Sequence, residues 1–139
     1  MKTTELTIRT SRRGGLFDLT AACRRFVDGA AADGQPDGLL SVFVPHATCG
    51  LVIMELGSGS EEDLRAALDR LLPRDHRYAH SHGSPGHGAD HVVPAFAPPS
   101  ISIPVIGGGM ALGTWQSIAL LDTNVDNETR TVRLSFVGG

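Results

Sequence analysis

Aromatic side chains are scarce, 5% of 139 residues, with Trp115 the single Trp and Tyr78 the single Tyr. So few rings cannot build the stacking platform that single-stranded nucleic acid requires. Positive charge is not in excess either: 12 basic residues face 15 acidic ones, for a formal net charge of -3. The basic residues are dispersed along the chain, which excludes the concentrated cationic face that a phosphate backbone demands. No apolar run approaches the roughly 20 residues of a membrane-crossing helix. Met1-Lys2-Thr3-Thr4-Glu5 lacks the apolar core of a signal peptide, so the expectation is a cytoplasmic protein with neither nucleic-acid nor membrane partners. Cys23 and Cys49 are too few for a disulfide framework and match no zinc-knuckle spacing, which makes both reduced thiols.

What the chain does have is glycine, 17 residues, and a hydrophobic share of 41% against 19% charged. This balance favours strands and turns over a helical bundle. Thr4 to Thr10 alternate in the manner of an edge strand, with Gly14-Gly15 as the following turn. Leu19, Ala22, Cys23, Phe26, Val27 and Ala30 form one stripe of an amphipathic helix over Leu19 to Ala31, with Thr20 as its cap. Leu39–Pro45 and Gly50–Glu55 read as buried strands separated by His46-Ala47-Thr48. A second helix starts at Ser60, with Asp63 reaching back in a capping box; it buries Leu64, Ala67, Leu68, Leu71 and Leu72, and stops at Pro73. Ile101–Ile106 and Met110–Leu121 are strands joined across Gly107-Gly108-Gly109, and Thr131–Val137 is the last strand. The whole, residues 1–139, is one α+β domain of mostly antiparallel strands with two main helices.

Five of the six histidines, at 76, 80, 82, 87 and 91, fall in the irregular stretch between Asp75 and Pro99; the sixth is His46. Neutral imidazole is both a common metal ligand and a general base near neutral pH. The spacing of His80-Ser81-His82 and of His87 and His91 matches no zinc consensus, and Gly83, Gly86 and Gly88 argue against a helix that would align His87 with His91. The alternative is a solvated glycine-rich loop. His46, at the mouth of a buried strand, is either a ligand or a histidine satisfied by the fold. Glu55 ends an apolar run and is either functional or a solvated strand-end carboxylate. Cys49 could serve as a nucleophile beside His46, but small hydrophobic filler is the better reading, because no third orienting residue stands out. Gly107-Gly108-Gly109 lacks the Lys-Ser/Thr of a phosphate loop and reads as a hairpin turn. Thr114 and Gln116 flank Trp115 on what reads as a strand, which puts the two polar groups on a pocket face and the indole on the core face.

Gly15, Asp18, Leu19 and Thr20, then Asp37-Gly38, Val44-Pro45-His46, Glu55, Asp63, Tyr78-x-His80, Ala89-x-His91, Ile101-x-Ile103-Pro104 and Leu112-Gly113-Thr114-Trp115-Gln116 follow in an order and spacing that resembles the YjbQ family over essentially the whole chain. The resemblance implies an α+β fold, a homotrimer with sites near subunit interfaces, and an activity as a secondary thiamine-phosphate synthase, which joins a pyrimidine diphosphate to a thiazole phosphate. It also implies that His46, His80 and His91 gather as catalytic residues and ligands of a divalent metal, with Glu55 catalytic and Thr48, Thr114 and Gln116 binding substrate. Zinc, nickel or manganese suits such a histidine set better than magnesium. Hydrolysis of a phosphorylated small molecule, or binding of a small anion or metal without turnover, are the alternatives. His76, His82 and His87 match no family histidine and return to the solvated loop. Ala47, Cys49, Met54 and Ser81 depart from the family pattern, each altering a polar contact.

Overall fold

The computed structural model describes residues 1–32 and 34–139. Two antiparallel sheets make the body. In the larger, β1 (Lys2–Arg9) lies at the edge and, among the described residues, pairs only with β8 (Thr129–Gly138), from Lys2 opposite Phe136 to Arg9 opposite Thr129. On the other side of β8 lies β3 (Gly38–Phe43), followed by β5 (Ser100–Ile106) and the short β6 (Gly109–Met110). Gly107 and Gly108, both at positive φ, turn β5 into β6, the hairpin expected of the triple glycine. The smaller sheet has β7 (Ser117–Asp122) between β2 (Gly15–Asp18) and β4 (Cys49–Met54).

Period-two alternation explains which side chains go inside. Leu40 and Val42 of β3, Ile103 and Val105 of β5, and Val132, Leu134 and Phe136 of β8 meet Leu51, Ile118 and Leu120 of the smaller sheet in the main core. The helix α1 (Thr20–Ala31) adds Cys23, Val27 and Ala30 to it, on the stripe its spacing gave. On the opposite face of the smaller sheet, Leu121 packs with Leu72, Ala89, Val93 and Ala97 in a second cluster. That cluster seats the chain between α2 (Ser60–Leu71) and β5, which includes the one-turn helix α3 (His87–Asp90). Among the described residues no helix is long and apolar enough to cross a membrane.

The departures from the sequence reading are local. The strand expected over Met110–Leu121 is interrupted: Gln116 N–H donates to Gly113 O at 3.0 Å, and Gln116 Oε1 accepts the Gly113 amide at 2.8 Å. This closed turn lifts Trp115 out of the core and leaves it 72% exposed. Thr20 is not a cap; its hydroxyl accepts the Ile118 amide at 2.9 Å and ties α1 to β7. Ser60 is the first residue of α2 rather than its cap, a position held by Gly59 at φ 94°, and no capping box forms. The Leu64 and Leu68 stripe is only half-buried and Leu71 is exposed. β2 fills the place where only a turn was expected, because Leu16 and Phe17 each find an apolar cluster on one face of the smaller sheet.

Candidate metal centre

Three glycines shape the histidine segment by close approach rather than by looseness. A Cβ on Gly88 would stand 2.5 Å from Tyr78 Cβ and 2.6 Å from the His80 carbonyl oxygen, so the Tyr78–His80 strand of loop lies directly on α3. Gly83 and Gly86 both have positive φ, and their Cβ atoms would strike the His87 ring and Arg74. Tyr78 fixes the start of the loop, its hydroxyl donating to Pro73 O at 2.8 Å. With His80 pressed onto α3, the single helical turn places His87 and His91 side by side, Nε2 to Nε2 at 2.9 Å. The alignment that the glycines argued against therefore occurs, because one turn of helix suffices.

The three rings converge. His80 lies with its ring centroid 4.0 Å from that of His91 and 5.3 Å from that of His87. One ring nitrogen from each of His80, His87 and His91 lies within 4.8 Å of the others. Nitrogens on a tetrahedral zinc, each bound at about 2.0–2.1 Å, stand about 3.4 Å apart, so this set needs little movement to close on an ion. Burial holds His80 below its ordinary pKa, reinforced by the charges of His91, His82 and His87; burial, then His87 and His82, do the same for His91. Neutral imidazole is the form that binds metal. His80 Nε2 is buried and has no hydrogen-bond partner among the described residues, which is the mark of a site that fits an ion. Above the rings a cleft of about 470 Å³ opens between Tyr78, Ser81, His82 and Pro85.

Beneath the rings lies a polar network that the sequence did not disclose. Arg130 Nε donates to Asp122 Oδ2 at 2.7 Å, and its Nη2 reaches Asp122 Oδ1 and Asn124 Oδ1, both at 3.2 Å. Asp122, Asn124 and Arg130 are all buried. Asn124 Nδ2 lies 3.1 Å from Asp90 Oδ2 and 2.8 Å from His87 Nδ1. Asp90, fully buried, also takes the Thr123 hydroxyl at 2.7 Å and pairs with the Arg74 guanidinium. His87 Nδ1 is 2.9 Å from Asp126 Oδ2.

The residues singled out from sequence divide between two places. His80 and His91 stand together, joined by His87, for which the sequence predicts a solvated loop. His46 stands outside the trio: its Nε2 accepts the Thr131 amide at 2.9 Å, the satisfied state of its two readings. Burial and the nearby Arg130 hold it neutral for that bond. Thr48 is buried at the same end of the smaller sheet, next to Cys49. Glu55, Thr114 and Gln116 are at the other end, where β4 finishes and β7 starts. Cys49 opposite Asp122 and Met54 opposite Ser117 mark the two ends, about 17 Å apart at about 3.3 Å per residue. There Glu55 accepts the Ser58 hydroxyl at 2.9 Å and Gln116 closes its own turn. Burial pushes the thiols of Cys23 and Cys49 up to about 12, each helped by a neighbouring Asp, so Cys49 is no nucleophile at neutral pH. His82 is exposed, its ring 4.1 Å from that of His80, and His76 is exposed as well.

The family model described as "UPF0047 protein YjbQ-like" matches residues 4–139. A UPF0047 protein of Mycobacterium tuberculosis (strain ATCC 25618 / H37Rv) is 57% identical over 139 residues, covering 100% of both chains. Among solved structures, the hypothetical protein APE1520 of Aeropyrum pernix K1 superposes with a TM-score of 0.87 at 29% identity, covering 100% of both chains. A YbjQ-like protein of Sulfolobus solfataricus P2 shares the fold with a TM-score of 0.90 at 22% identity, over 99% of this chain and 97% of its own.

Proposed function

The chain belongs to the YjbQ-like UPF0047 family, and on that premise we propose that it holds a divalent zinc, nickel or manganese ion on His80, His87 and His91 and acts there on a small phosphorylated molecule. The observation that carries this reading is the buried, unpartnered Nε2 of His80 beside two further imidazoles. Three neutral ligands leave the full charge of the ion uncompensated, which suits an anionic substrate. A bound ion would supply Lewis acidity to a phosphoryl oxygen and to water at its open position. The chain supplies the rest. His80 and His91 are held below their ordinary pKa, His87 converges with them, and the Gly88 contact keeps His80 from swinging away. His82, exposed and lining the cleft, is the nearest further imidazole to His80. Hydrolysis of a phosphate ester is the reaction this donor set fits best.

Glu55, Thr114 and Gln116 do not reach this site within one chain; a second copy would have to bring them. The reading therefore includes a homotrimer. Leu39, Phe43 and Val137 form an exposed apolar strip on the outer face of the larger sheet, with Leu39 opposite Val137, and Trp115 is a further exposed apolar group. Packing between copies would cover them.

Untagged protein should contain close to one zinc, nickel or manganese ion per chain and release inorganic phosphate from a pyrimidine diphosphate or a thiazole phosphate. Release of pyrophosphate with joining of the two would establish the thiamine-phosphate-synthase-like transfer instead. Metal without turnover of either substrate would leave a binding protein. Protein that neither carries nor takes up any of the three metals would overturn the reading.

A further inference from the structure

His87 can bind a metal through Nε2 only if its proton sits on Nδ1, and the neighbours of Nδ1 decide this. Two groups approach that atom: Asn124 Nδ2 at 2.8 Å, a donor, and Asp126 Oδ2 at 2.9 Å, an acceptor. The orientation of the Asn124 amide is fixed by its other end, since Oδ1 accepts Arg130 Nη2 at 3.2 Å and the Asp126 amide at 2.9 Å. Its two Nδ2 hydrogens have carboxylate acceptors at hand, Asp90 Oδ2 at 3.1 Å and Asp126 Oδ2 at 3.4 Å. The two neighbours therefore demand opposite tautomers of His87. A donor at Nδ1 favours the proton on Nε2; an acceptor there favours the proton on Nδ1.

Charge decides between them. A bond from Nδ1–H to a carboxylate is charge-assisted and roughly twice as strong as one between neutral groups, whereas a bare Nδ1 lone pair at 2.9 Å from that carboxylate would be repelled.

We infer that Asp126 is a positioning residue: its carboxylate takes the Nδ1–H of His87 and thereby presents the unprotonated Nε2 towards His91 and His80. This rests on the metal reading for its purpose, though not for its geometry. Asp126 in turn is held by the Asn124 side chain, which the buried Arg130–Asp122 pair keeps in place. The position of one proton on His87 is thus set by residues far along the chain, Asn124 being 37 places away. Carboxylate–histidine–metal relays of this kind typically change metal affinity by about 10–100-fold when the carboxylate is lost.

The test is long-range nitrogen–proton NMR of His87 in chelator-treated protein, with zinc titration alongside. In the wild type, His87 should be the Nδ1–H tautomer. In Asp126→Ala only the Asn124 donor remains at Nδ1, so the tautomer should change to Nε2–H and zinc affinity should fall about 10–100-fold. Asp126→Asn, whose side-chain oxygen still accepts, should restore the Nδ1–H form and most of the affinity. A wild-type His87 already in the Nε2–H form, or an Asp126→Ala protein with the wild-type tautomer, would overturn the inference. Failure of the wild type to bind zinc would overturn the metal reading alone, because the tautomer is measured without metal.

Discussion

At the end of the three-stranded sheet where β4 begins and β7 finishes, Asp122, Asn124, Arg130 and Asp90 are buried and bonded to one another. At the opposite end, Glu55, Thr114 and Gln116 are partly or fully exposed, and the hydrogen bonds that Glu55 and Gln116 make close only their own turns. The first end is ordered by its own internal bonds; the second has spare surface, including Trp115. A buried charge network is costly unless every member is satisfied, so it holds its geometry and passes that geometry to His87. An exposed turn imposes no such order. On the proposed reading the locked end holds the metal, and the loose end offers the surface that another copy or a substrate would cover.

The sharpest way to break this contrast is to remove one partner of the buried pair. Asp122→Ala leaves the Arg130 guanidinium buried with Asn124 as its remaining partner and should cost about 3–5 kcal/mol in urea denaturation. A loss below 1 kcal/mol would mean that water reaches this end of the sheet. Gly88→Ala comes next. Its methyl group cannot share space with Tyr78 and the His80 carbonyl, and the expected loss is about 1–3 kcal/mol with disruption of the histidine trio. Unchanged stability and unchanged metal content would refute the role given to that close contact.

Acidification should act at the same end. His46, His80 and His91 are all held below their ordinary pKa, chiefly by burial, so the folded chain binds fewer protons than the unfolded one. The stability they contribute is complete above about pH 6.5 and is lost as the pH falls through 6.5 towards the depressed folded values. Urea midpoints of metal-free protein should fall between pH 7.5 and 5.5; a flat profile would contradict the account. The smallest effect belongs to the loose end. Trp115→Ala and Gln116→Ala should each alter chain stability by no more than about 0.5 kcal/mol. Light scattering of the Trp115 variant then reads whether the indole serves assembly, with a lower mass than the wild type expected.

Much of the fold was legible because it follows from period. The alternation of Thr4 to Thr10 and the stripe from Leu19 to Ala30 are each set by neighbours along the chain, and both lie where that pattern puts them. The site was legible only in part. His80 and His91 came through resemblance to a family. His87 falls to the solvated loop because it matches no family histidine and because glycine reads as freedom in a sequence, whereas Gly88 is there for the absence of a Cβ where Tyr78 and His80 approach. The signal was present in the spacing of Gly83, Gly86 and Gly88 around a histidine pair four residues apart, but it becomes decisive only when the packing partner is known. Asn124 and Asp126 gave no local sign at all, since their meeting with His87 joins distant parts of the chain. Trp115 is misplaced for the opposite reason: the run from Met110 to Leu121 fits a strand, and the bonds that close the turn between Gly113 and Gln116 are invisible in the pattern.

The central claim is that the metal ligand set includes His87 and excludes His46. Its most direct test is the zinc content of His87→Ala and His46→Ala beside the wild type, each confirmed folded by circular dichroism and equilibrated with the same free zinc. The account predicts that the His46 variant keeps close to one zinc per chain while the His87 variant loses it. Retention by the His87 variant together with loss from the His46 variant would contradict it.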